Sequence, residues 1–109
     1  MKRNGSRPRY HLYEKQAAVC RAFAHPTRIH MLDLLGARER SVSELRKELG
    51  ISKANLSHHM SLLRSVGAVV TRREGRQLYC ALSMPAVKQA CAMIREILRE
   101  QFREAHLLV

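Results

Sequence analysis

The sequence is short of aromatic residues, of carboxylates and of long apolar runs. Aromatic side chains make up 5% of the 109 residues and tryptophan is absent. That argues against a β-sandwich and for a helical core of leucine, isoleucine, valine and methionine. Asp and Glu number 9 against 20 Lys and Arg, a formal net charge of +11. Such an excess points to nucleic acid or an anionic membrane as partner, and bears on association more than on fold. No apolar run approaches a membrane span and no signal peptide follows Met1, so a cytosolic protein is expected. The three cysteines, Cys20, Cys80 and Cys91, are odd in number and widely spaced. They form no disulfide framework and default to thiols in a reducing compartment. A glycine-rich phosphate loop, paired carboxylates in a pocket and a nucleophile–base pattern are all missing, so neither an enzyme nor a cofactor is expected. What is present is 46% hydrophobic residues, enough for one domain with a small core.

Along the chain, residues 1–9 carry Lys2, Arg3, Arg7 and Arg9 with no acid. Gly5, Ser6 and Pro8 oppose regular structure there, so this is read as a mobile basic arm, and residues 10–109 as the single domain. A helix is expected from about Tyr10 to Ala24, with Leu12, Gln16, Val19/Cys20 and Phe23 on one stripe. His25-Pro26-Thr27-Arg28 breaks it, since proline opposes a helical residue before it but suits the first turn of a new helix. The second helix runs to about Leu35, with Ile29, Leu32 and Leu35 inward and Gly36 as its stop.

Ser41-Val42-Ser43-Glu44 has the form of a capping box, a hydroxyl followed three residues later by a carboxylate. It opens a short helix, about 43–49, that turns Leu45 and Leu49 inward and stops at Gly50. One residue, Ile51, separates that glycine from Ser52, a good N-cap for the next helix. There Leu56, Met60 and Leu63 share a stripe at i, i+4, i+7 and must face a core. The opposite face carries Ala54, Ser57, His58, Ser61 and Ser65, with Asn55 at its edge and no acid. His59 falls nearer the apolar stripe. Gly67 ends the helix. Two capped helices joined by a tight glycine turn are a helix-turn-helix signature.

Residues 68–73 and 76–82 read as the two strands of a hairpin with Glu74-Gly75 at the turn. Its tip gathers Arg72, Arg73 and Arg76, suited to phosphates or a minor groove. Cys80 alternates with Leu78 and Leu82 as core. The last helix, about Pro85 to Ala105, has a long apolar stripe through Val87, Ala90/Cys91, Ile94, Ile97/Leu98 and Gln101/Phe102. Glu96–Arg99 and Glu100–Arg103 are spaced for weak surface pairs. This stripe and that of the first helix need cover, which a homodimer supplies; cover within one protomer is the alternative. The expected fold is mainly α with a β-hairpin wing, in the order α-α-α-α-β-β-α.

Three segments together resemble the ArsR-type winged helix-turn-helix repressors: Phe23-Ala24-His25-Pro26-Thr27-Arg28-Ile29; Ser41-Val42-Ser43-Glu44-Leu45 with Gly50-Ile51-Ser52; and Leu56 to Gly67 with Arg72-Arg73-Glu74-Gly75-Arg76. The resemblance covers about residues 20–83. It implies a dimeric repressor joined through its first and last helices and bound to double-stranded operator DNA. Its recognition helix would enter the major groove and its wing would touch flanking backbone. Carried across by position, Ser57 and His58 reach base edges, while Ser52, Lys53 and Asn55 meet phosphates or bases near the helix start. A winged-helix module that binds protein instead of DNA is the alternative class.

The departures from that family concern the signal. Where metal-sensing members carry a Cys-x-Cys pair, this chain has Ser41-Val42-Ser43. Where others open the last helix with Asp-x-His, it has Met84 and Ala86, and only Glu100 matches a later ligand. Where thiol sensors place a cysteine in the second helix, it has Asp33. No standard metal site is expected, so release by a small inducer or by thiol oxidation is the expected signal, with a non-standard metal site as the alternative. Cys20 and Cys91 lie on the two interface stripes and form a disulfide only if their Cα atoms come within about 7 Å. The plainer reading makes both small core residues. His11 and His106, near opposite ends of the chain, are a further pair that an interface would bring together. No inducer can be named from the residues.

Overall fold

The computed structural model describes residues 8–104. Residues 1–7 of the expected arm, and His106, lie outside them. Eight elements follow in order: α1 (Pro8–Phe23), α2 (Pro26–Ala37), β1 (Arg40–Ser41), α3 (Val42–Leu49), α4 (Lys53–Ser65), β2 (Val69–Glu74), β3 (Gln77–Leu82) and α5 (Pro85–Glu104). Helix α1 thus begins at Pro8, before the expected Tyr10, with proline in the first turn, where its missing amide costs nothing.

The local signals act as their chemistry dictates. His25 caps α2, its Nδ1 accepting from the Thr27 amide at 3.1 Å. The Ser41 box closes in both directions: Glu44 N donates to Ser41 Oγ at 3.1 Å, and Ser41 N donates to Glu44 Oε1 at 3.0 Å. At the end of α4 the chain turns through Gly67 at φ +77°. Its amide bonds the Arg64 carbonyl and the Ala68 amide the Leu63 carbonyl, both at 3.0 Å. This paired closure needs a left-handed residue, which glycine supplies without strain.

The sheet has three antiparallel strands in the order β1-β3-β2, with Arg40 and Thr71 both opposite Cys80. The hairpin was expected, but β1 was not. Two residues leave no periodic signal, and Ser41 serves at once as strand end and helix cap. The core gathers Met31, Leu32 and Leu35 of α2, Leu45 of α3, Leu56, Met60 and Leu63 of α4, and Val69 and Cys80 of the sheet. No buried side-chain polar atom among the described residues lacks a partner.

Three expectations need correction. Gly36 does not stop α2; the helix runs to Ala37, and Gly36 instead admits the Lys88 side chain, whose nearest carbon is 3.4 Å from where a Cβ would stand. Ile29 is exposed, and Met31 takes its core place. Cys20 is exposed and is not a core residue of the protomer. The two stripes expected to need cover are open in the protomer: Leu12 of α1 is exposed, and of the α5 stripe only Val87 is buried and Cys91 half-buried, while Ile94, Ile97, Leu98 and Phe102 lie open. Helix α1 packs on α2 and α4, and α5 on α2 and β3. Among the described residues the end of α1 meets α5 at Phe23, which lines a small cavity with Cys91, Ile94 and Leu98, and most of both stripes stays exposed. No described helix is long and apolar enough to cross a membrane.

Candidate nucleic-acid interface

Helix α4 is held by its inner stripe and presents its outer one. Leu56, Met60 and Leu63 are buried, while Ser52, Lys53, Asn55, Ser57, His58 and Ser61 are all exposed. Ser52 Oγ accepts from the Asn55 amide at 3.1 Å. Its hydroxyl proton therefore remains available to an outside acceptor. The first-turn amides of a helix also favour anions. The acid-free outer face of α4 is thus hydrogen-bonding and neutral to positive throughout.

The wing divides its arginines by strand alternation. Val69 is buried, and Thr71 accepts from Arg64 of α4 at 3.5 Å. Arg73, two residues further, lies on this same face, the α4 side. Arg72 lies on the other face, its guanidinium 4.5 Å above the Tyr79 ring. There it donates to Glu39 through Nε at 2.9 Å and Nη2 at 2.8 Å, and to Glu74 through Nη1 at 2.8 Å. Hydrogen bonds from Arg72 hold the Glu39 carboxyl below the usual carboxylate range, and the same bonds push Arg72 upward. Among the described residues, Arg73 and Arg76 have no carboxylate partner. Arg72 therefore occupies the two nearest acids and leaves the other two arginines as the uncompensated charge of the tip.

Sequence reasoning missed Glu39, which is 33 residues from Arg72 and carries no local signal. It also missed what Arg28 does. This arginine is buried, donating from Nε to the Ala22 carbonyl at 2.6 Å, and its Nη1 lies 3.1 Å from His59 Nδ1. His59 is half-buried, on the inner side of α4 as expected, and His58 points outward.

The thiols are dispersed. Cys80 is buried in the sheet, and burial pushes it up to about 11. Cys91 sits half-buried on α5 against α2, also pushed up by burial, and Cys20 is exposed on α1. A cavity of about 340 Å³ between α2 and α5 is lined by Cys91, Asp33, Lys88 and Arg95 among others. Asp33 and Arg95 pair across it at 3.1 Å. Among the described residues no group of three His, Cys, Asp or Glu side chains is placed to hold a metal ion.

Comparison with known proteins settles what this geometry belongs to. A family model described as a helix-turn-helix domain matches residues 23–72. The HTH-type transcriptional regulator Rv0081 of Mycobacterium tuberculosis is 36% identical over 88 residues, 80% of this chain and 77% of that protein. The chain belongs to the winged helix-turn-helix transcriptional regulators. The crystal structure of Rv0081 superposes with a TM-score of 0.81 at 34% identity, covering 86% of this chain and 95% of that one. The solution structure of Mb0332 from Mycobacterium bovis, described as a homodimeric winged helix-turn-helix DNA-binding domain and a possible ArsR-family regulator, has a TM-score of 0.82 at 26% identity. It covers 94% of this chain and 93% of its own. HlyU of Vibrio cholerae, named a transcriptional activator, is 36% identical over 83 residues, 76% of this chain and 77% of that protein. Others are named repressors. This regulator is thus a DNA-binding transcription factor and not an enzyme, and the sign of regulation varies among its relatives.

Proposed function

We propose that this regulator is a homodimeric, sequence-specific operator-binding protein that represses transcription. The acid-free outer face of α4, with the uncompensated Arg73 and Arg76 on the wing beside it, carries the reading. Ser57, His58 and Ser61 meet base edges in the major groove. Ser52, Lys53 and Asn55 hold the phosphates at the helix start, and the wing tip holds the flanking backbone. Arg72 serves mainly by clamping Glu39 and Glu74. The partner copy covers the open stripes of α1 and α5, and two half-sites one helical turn apart follow from that symmetry. Repression needs only occupancy of a promoter, which a dimer on its operator provides, and such a protein works in the cytoplasm beside the DNA.

The test is a gel shift on duplex DNA from upstream of its own gene, repeated over a range of salt. Affinity falls steeply with salt, because each phosphate contact releases counterions. Arg73→Ala/Arg76→Ala weakens binding to every sequence and flattens the log–log salt slope by about 2, roughly one per lost phosphate contact. His58→Ala mainly relaxes sequence choice. Unchanged affinity and slope in both variants would refute this docking, and a reporter that rises when the protein is expressed would refute repression.

Release by thiol oxidation rests on Cys20 and Cys91. With Cys20 exposed on α1 and Cys91 half-buried on α5, the bond this reading requires forms within a protomer or across the dimer. Loss of DNA binding on oxidation, abolished by Cys20→Ser or Cys91→Ser, is the result this reading requires.

A further inference from the structure

One part-buried polar contact ties the recognition helix to α2. Arginine has donors and no acceptor, so the 3.1 Å approach of Arg28 Nη1 to His59 Nδ1 is a hydrogen bond only when that nitrogen keeps its lone pair. The same guanidinium satisfies the Ala22 carbonyl in the last turn of α1 at 2.6 Å. One side chain of α2 thus joins the end of α1 to the middle of α4. His25 stands beside the site, its ring centroid 4.7 Å from that of His59, and the His58 ring is 5.6 Å away. His25 also uses Nδ1 as an acceptor, for the Thr27 amide. His59 is therefore neutral in this arrangement.

We propose that Arg28 and His59 are positioning residues that set the angle of α4 for DNA reading, and that protonation of His59 releases this latch and costs operator specificity. The inference rests on α4 being the DNA-reading helix. Its geometry is one-sided: a proton on Nδ1 removes the only acceptor Arg28 has on α4 and puts a cation against a guanidinium. The groups facing the ring are Arg28 from α2, His25 from its cap and His58 from α4 itself. No charged side chain of α1, α3 or β2, the other described elements packed on α4, acts on it. With no carboxylate to compensate, burial first, then His25, Arg28 and His58, hold the imidazole below its ordinary value. The sign follows. A histidine lowered in the folded state stabilises the latch above its unfolded value near 6.5. That contribution is lost as pH falls from there through the folded value.

The test compares a duplex selected by this protein from a random-sequence pool at pH 8 with an unselected duplex, at constant ionic strength. The ratio of the two affinities is measured from pH 8 to pH 5. The ratio removes the general gain in charge that acid gives every exposed histidine. In the natural protein it falls about tenfold or more. In His59→Gln, which keeps an acceptor that does not titrate, it stays flat, while Arg28→Lys lowers it already at pH 8. A ratio that is constant in the natural protein, or that falls equally in His59→Gln, overturns the latch. Independently of DNA and of any variant, nitrogen NMR of the free protein follows Nδ1 of His59. It takes up its proton below the ordinary histidine value, and its protonation shifts the Arg28 Nε and Ala22 carbonyl signals together. If those signals do not move with His59, the latch is wrong. If the protein binds no duplex at pH 8 but those signals do move, the latch stands and the DNA reading of α4 fails.

Discussion

Replacing Ile97 by Glu tests the dimer at a position where the protomer itself has little to lose. Ile97 is 59% exposed in one chain, so a carboxylate there leaves folding of the protomer nearly unchanged. Complete burial of an isoleucine side chain is worth roughly 1.5–3 kcal/mol. The exposed share of Ile97 is then about 1–2 kcal/mol, recovered only on association. A two-fold interface counts it twice, giving about 2–4 kcal/mol. At 1.4 kcal/mol per tenfold, the dimer dissociation constant rises about thirty- to a thousand-fold from lost apolar contact alone. The two carboxylates add to this. The neighbours of position 97 on α5 at three and four residues are Met93, Ile94, Glu100 and Gln101, which offer the new charge no cation. Sedimentation at micromolar concentration, with thermal melting as the control for folding, reads the outcome. We expect monomers with a protomer melt close to that of the natural chain, and a large drop in affinity for a two-half-site operator. A variant that sediments as a dimer would refute the placement of the interface on α5.

Two further predictions concern titration and reactivity. The Arg38 guanidinium, with help from the Ser41 amide, holds Glu44 down at about 2. The capping box therefore supports stability above the unfolded carboxylate range near 4.5 and loses that support as pH falls toward about 2. In acid titration followed by circular dichroism, Glu44→Gln removes this part of the pH dependence, and an unaltered acid limb counts against the pairing. Thiol labelling under native conditions should reach Cys80 last, because it is enclosed in the protomer core with its pKa pushed up to about 11. Labelling of Cys80 before the protein unfolds would show the sheet to be looser than described.

Much of this protein is legible in its sequence, because the signals concerned are local. The caps at Ser41 and Ser52 and the stop at Gly67 act within three or four residues of themselves. The stripe Leu56, Met60, Leu63 states which side of α4 is core, so the outward Ser57 and His58 and the inward His59 follow from 3.6-residue periodicity alone. The charge excess and the arginines of the hairpin are likewise visible without coordinates. Contacts between segments far apart in the chain are not. Alternation along β2 separates Arg72 from Arg73, but only the packed structure shows Glu39 arriving to claim Arg72. Only packing turns Ile29 and Cys20 outward, because a helical stripe says that a face needs cover and not which surface covers it. Tertiary structure alone brings Arg28 from the start of α2 to the inner side of the recognition helix, 31 residues on in sequence. Segment type and outward chemistry were set by neighbours in the chain, whereas ion-pair partners, the latch under α4 and the uncovered α5 were decided by where the helices came to rest.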